Sequence, residues 1–89
     1  MARFELANPE MAAMGGQRMG PEILLQMGLD CACGRHGATD LVAAHKWFNL
    51  AAMQGNADAV RHRREISGEM SRAEIAEAQR AAREWLTLQ

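Results

Sequence analysis

Apolar residues recur at helical spacing in successive stretches of the chain, and Gly, Asn, Ser and Asp punctuate the gaps between them. From Pro21 onward, Ile23, Leu24, Met27 and Cys31 fall on one helical face. Pro21 suits the first turn of a helix, Glu22 complements the positive end of its dipole, and Gly34 is placed to end it in a left-handed cap. After a loop from Arg35 to Thr39, either Thr39 or Asp40 can cap a second helix. Its apolar stripe is Leu41, Ala44, Phe48, Ala51 and Ala52, widened by Trp47 and Leu50. A face this broad predicts a central helix. Gly55 supplies the stop, and Asn56 caps a third helix at once, a link so short that the two helices must run roughly antiparallel.

The third helix, Ala57 to about Gly68, is weakly apolar, with Ala59, Val60 and Ile66 as its inward residues. Ser71-Arg72-Ala73-Glu74 reads as a capping box that opens a fourth helix, and Met70 is placed to staple that start. Ile75, Ala78, Ala82 and Trp85 mark the inner face of the fourth helix. Leu86 and Leu88 lie near its frayed end, and Glu77, Arg80, Arg83 and Glu84 fall on a solvated face. Residues 1–20 show no sustained period, and Gly15-Gly16 and Gly20-Pro21 punctuate them strongly. They read as a flexible N-terminal tail in which Phe4, Leu6 and the methionines Met11, Met14 and Met19 are available for contacts. Residues 21–89 then form the domain. The fold class expected is all-α, with about four antiparallel helices.

Composition narrows this further. In 89 residues one small domain is expected, burying only about 60% of the surface its unfolded chain exposes. Alanine accounts for 17 positions, which favours helices whose backbones approach closely over a core of large side chains. The chain has no Tyr and only two Pro, so strand-rich architectures find little support. The net charge of −1 selects neither nucleic acid nor an acidic membrane by long-range field. No apolar run reaches the roughly 18 residues of a membrane span, and the start lacks a signal-peptide core. Two closely spaced cysteines suit a reducing compartment, so a cytoplasmic protein is expected.

The stretch from Met27 to Ala59 resembles the Sel-one-like repeat family, whose helix-turn-helix units are related to tetratricopeptide repeats and stack into α/α solenoids. The first-helix pattern of that family falls on Met27, Gly28, Cys31 and Gly34. Its second-helix pattern falls on Ala44, Trp47, Phe48, Ala51, Ala52 and Gly55, and Asn56 to Ala59 looks like the start of a further repeat. What the resemblance implies is a short α/α superhelical, solenoid-type array. Its small residues let helix backbones approach, and its Trp47-Phe48 pair fills the groove between helices. After Ala59 the pattern degenerates, since Arg63 stands where leucine is expected, so helices three and four read as a C-terminal cap. Repeat units need neighbours or caps to bury their faces. The resemblance therefore implies a non-catalytic module for protein–protein interaction, binding a protein or peptide partner through its grooves, with self-association as a second way to cover an open end. The contact residues expected are Lys46, Asn49, Gln54, Arg61, Arg63 and Arg64.

Other chemistry finds less support. Cys31, Cys33 and His36 contain soft metal ligands, and a tetrahedral site would need both thiols on one side. Residues i and i+2 on a helix point about 200° apart, so such a site requires the helix to have ended by Cys33. Buried packing is the plainer reading of Cys31 and also of His45. Arg61 to Arg64 is the one local basic patch, yet from residue 61 to residue 84 six Arg face five Glu, which nearly cancels a nucleic-acid footprint. No phosphate loop, nucleophile elbow or zinc-protease motif is present. The sequence thus points to no enzyme and no cofactor, with a metal or redox protein and a nucleic-acid accessory protein as the alternatives.

Overall fold

The structure is a computed structural model and describes residues 19–88. Among these residues there are four helices and no strand: α1 (Pro21–Cys33), α2 (Leu41–Met53), α3 (Ala57–Ser67) and α4 (Arg72–Thr87). The tail expected over 1–20 falls mostly outside the described residues, as do Phe4, Leu6, Met11 and Met14. Met19 lies among the described residues and packs against the hydrophobic core.

Each boundary has a local cause. Pro21 opens α1 without sacrificing an amide the helix would use, and Gly34 closes it in the left-handed region at φ 72°, its amide returning to the Asp30 carbonyl. The Asp40 side chain accepts from the Ala43 amide at 3.0 Å and so opens α2. The junction between α2 and α3 is tighter. The Gly55 amide donates to Ala52 O at 3.0 Å and the Asn56 amide to Ala51 O at 3.1 Å, the paired bonds of a Schellman closure with Gly55 at φ 96°. The Asn56 side chain then accepts from the Ala59 amide at 2.8 Å. One residue closes α2 with its backbone and opens α3 with its side chain. The expected capping box is present at α4, where Ser71 Oγ accepts from the Glu74 amide and the Glu74 carboxylate accepts from the Ser71 amide.

Helix α2 is the centre of the fold, and α1, α3 and α4 all pack on it. It runs antiparallel to α1, since the Asp40 amide donates to Cys31 O at one end while Pro21 and Gln54 line one recess at the other. Its buried residues Ala44, Phe48, Leu50 and Ala51 join Leu24, Ala59 and Ala82 in a single core. The largest of these, Phe48, Leu24 and Leu50, contribute about 1.5–3 kcal/mol each by burial.

Phe48 needs the glycine opposite it. A Cβ at Gly28 would lie 2.5 Å from two ring carbons of Phe48, so α1 can approach α2 this closely only because position 28 has no side chain. The neighbouring aromatic faces another way, as Trp47 meets Trp85 of α4 edge-on at 5.9 Å and 82°. The pair expected to fill one groove therefore splits between two interfaces.

The periodicity assigned most inward positions correctly, but not all. Ile23, expected inside α1, is 57% exposed, because the face turned to α2 is centred on Leu24, Gly28 and Cys31 rather than on Ile23 and Met27. In α4, Ala78 and Ala82 are buried while Leu86 and Leu88 are exposed at the C-terminal turn.

Candidate functional site on the α2–α3 face

Asn49 and Arg63 were expected on the solvent surface, but both are half-buried and bonded to each other. Arg63 Nη1 donates to Asn49 Oδ1 at 2.6 Å. One turn toward the start of α2, His45 Nε2 lies 3.1 Å from Ser67 Oγ, whose hydroxyl donates to the Arg63 carbonyl at 2.7 Å. Beside these links Phe48 stacks on His62, with ring centroids 5.3 Å apart and planes 22° from parallel. Residues 45, 48 and 49 share one face of α2, and the partner of the earliest, Ser67, lies later in α3 than His62 and Arg63, the partners of the other two, which is an antiparallel register. His62 also approaches Glu65 of its own helix, Nδ1 to Oε1 at 3.6 Å.

His45 is the one buried polar residue among those described, 3% exposed, and its Nδ1 has no hydrogen-bond partner. Burial lowers its pKa from the ordinary imidazole value of 6.5, and the nearby Arg63 charge lowers it further. A histidine within hydrogen-bond distance of a serine is also half of a nucleophilic triad, and its wiring tells which role it has. The Ser67 proton is committed to a backbone carbonyl, among the described residues no carboxylate orients Nδ1, and the imidazole is buried. The pair is thus built as a bridge between helices.

The remaining sequence candidates are scattered. Lys46 Nζ sits 4.0 Å from the centroid of the Trp47 ring. Gln54 lines an open recess of about 280 Å³ with Pro21, Glu22, Gly55, Asn56, Ala57 and Asp58. Arg61 is exposed and pairs with Asp58 at 3.1 Å, and Arg64 is exposed. With Arg63 turned toward Asn49, the three arginines do not form one basic face.

The cysteine cluster also separates. Helix α1 continues through Cys33, so Cys31 and Cys33 leave it in nearly opposite directions, the first half-buried and the second exposed. Burial raises the Cys31 thiol above its ordinary pKa, and the Asp40 carboxylate adds to this, which keeps it in its less reactive form. Cys33 Sγ donates to the Asp30 carbonyl at 3.6 Å. His36 turns to Asp30 at 3.8 Å, and Asp30 in turn accepts from Gln26 at 2.9 Å, the main reason its carboxyl titrates below the usual range, with Arg35 and His36 contributing. Among the described residues no group of three or more His, Cys, Asp and Glu side chains is placed to hold a metal ion. Among them, too, no helix is long and apolar enough to cross a membrane.

Sequence reasoning missed the α2–α3 polar ladder, although the signal was present. A helical stripe drawn through Ala59 reaches Arg63 four residues on and Ser67 eight residues on, so the inward positions of α3 were identifiable despite being polar. The chain matches no protein-family model, no curated protein and no solved structure.

Proposed function

We propose that this chain is a small, non-catalytic protein–protein interaction module, an adaptor or scaffold of the Sel-one-like repeat type. The observation that carries the reading is apolar surface left open on a small helical domain. Ile23 of α1 is 57% exposed and Met53 of α2 is 60% exposed, while among the described residues α1 packs mainly on α2. A helix apolar around most of its circumference is ordinarily covered on more than one side, and a stacked repeat supplies that cover from the next unit. In this reading a protein or peptide partner, or a second copy of the chain, lies against α1, and Gln54, Arg61 and Arg64 set the polar rim. Asn49 and Arg63 support the surface from within.

The test uses the full chain with Ile23→Glu and Met53→Glu together, and separately with Arg61→Glu and Arg64→Glu. Sedimentation reads self-association, affinity capture reads partner binding, and melting checks that each variant still folds. Loss of either association in the Ile23 and Met53 variant at unchanged melting supports the proposal. Unchanged association in both variants overturns it, as would stoichiometric metal in the purified chain or salt-dependent nucleic-acid binding.

A further inference from the structure

Hydrogen-bond bookkeeping at His45 leads beyond the question of partners. The Ser67 hydroxyl has one proton, and at 2.7 Å from the Arg63 carbonyl that proton lies between the two oxygens. Ser67 Oγ can then only accept from His45, so the neutral imidazole carries its proton on Nε2. Nδ1 is left as a buried lone pair without a donor. Protonation would convert this atom into a buried N–H with no acceptor among the described residues but the residue's own backbone. We propose that His45 is an acid-sensitive latch between α2 and α3, which holds α3 in place while the imidazole is neutral and releases it when the imidazole is charged. The latch is independent of the adaptor reading and stands whatever the module binds.

The residue's own backbone favours a charged imidazole, but less than burial and Arg63 oppose it, and the other groups around the latch oppose the charge or are indifferent to it. From α3, Arg63 is itself a cation, drawn in by Asn49. The carbonyl end of α3 would favour a cation, but its last carbonyls are already occupied. Arg63 O takes the Ser67 hydroxyl, and Glu65 O, Ile66 O and Ser67 O take the amides of Gly68, Glu69 and Met70. His62 and Glu65, the other titratable groups of this stretch of α3, face each other. From α4, Glu77, Arg80, Arg83 and Glu84 are exposed, and from α1, Asp30 is engaged by Gln26 and Arg35. Among the described residues no carboxylate is in hydrogen-bond reach of His45.

The sign follows from the neutral preference of the docked state. Undocked, the imidazole titrates at its ordinary 6.5, while docked it titrates lower. Docking strength is therefore complete above pH 6.5 and declines as pH falls below it, by up to about tenfold in the docking equilibrium per pH unit until the docked value is reached.

The direct experiment follows the imidazole nitrogens of the full chain by NMR between pH 8 and pH 4.5, alongside amide exchange of α3 corrected for intrinsic rates. The result expected is an Nε2–H tautomer at neutral pH, resistance of His45 to protonation through pH 6.5, and loss of α3 protection below that pH ahead of α1 and α2. His45→Gln, neutral throughout, should abolish the acid-dependent part of that loss, whereas His62→Gln should retain it. Titration of His45 at or above 6.5 with α3 still protected overturns the proposal, as does equal acid loss in wild type and His45→Gln. Should His45→Gln fail to fold, the nitrogen titration of the wild-type chain decides alone.

Discussion

Helix α2 is bound on two sides by opposite means. Toward α1 the contact is apolar and depends on shape, with the Phe48 ring set against the bare backbone of Gly28. Toward α3 the contact is a polar ladder, Arg63 to Asn49 and His45 to Ser67, with Phe48 and His62 stacked beside the rungs. The first interface depends on volume, since interiors are close-packed and tolerate little change in size. The second depends on direction and charge, because a buried polar group is costly only when its partner is removed. Two interfaces sharing one ring should thus fail under different insults.

Phe48→Ala should have the largest effect, because it empties both interfaces at once. A loss of about 3–5 kcal/mol is expected in urea unfolding, enough to unfold most of a domain this small. If the loss were under about 1 kcal/mol, Phe48 would not be the shared element. Gly28→Ala comes next and concerns only the apolar side. Alanine gains up to about 1 kcal/mol of helix propensity, but the methyl group meets a ring fixed between two helices, and overpacking costs about 1–3 kcal/mol. A net destabilisation with α1 freed preferentially, read by amide exchange, is the expected outcome. A more stable Gly28→Ala variant would mean that the ring has room to move.

On the polar side Arg63→Met should cost about 1–2 kcal/mol, since it leaves the Asn49 carbonyl oxygen half-buried without its donor. The double variant with Asn49→Leu should recover part of that loss, and an additive double variant would show that the bond couples nothing. Arg61→Gln is the smallest change, under about 0.5 kcal/mol, because the Arg61–Asp58 pair is exposed. A larger effect would assign Arg61 to the ladder, contrary to its position.

These contrasts also explain which parts of the molecule the sequence discloses. Helix ends are set by a few residues acting locally, so Pro21, Gly34, Gly55, Asn56 and Ser71 can be read directly, and of the two candidate caps Thr39 and Asp40 the structure uses Asp40. The central place of α2 followed from the width of its apolar face. Ile23 was misplaced because α1 is apolar almost all round, so spacing alone does not say which side meets a neighbour. For Arg63 and Asn49 polar residue type points to the surface while helical position points inward, and position prevails. An arginine four residues after a buried alanine lies on the inward face, and its long stem lets it satisfy a partner there. The metal reading of Cys31 and Cys33 turned on whether the helix persists to Cys33, and it does. His45 could be read as buried, but its link to Ser67 spans 22 residues and follows from no local rule.

The handover at Gly55 and Asn56 has a kinetic consequence. Because α2 ends and α3 begins within three residues, the rungs of the ladder join positions only 14 and 22 apart in sequence. Closing loops of that size costs little chain entropy, and proteins rich in such local contacts fold in microseconds to milliseconds. Rejoining of α3 to α2 is therefore expected to be fast compared with assembly of the whole domain, so that any opening of this pair would be brief and readily reversed.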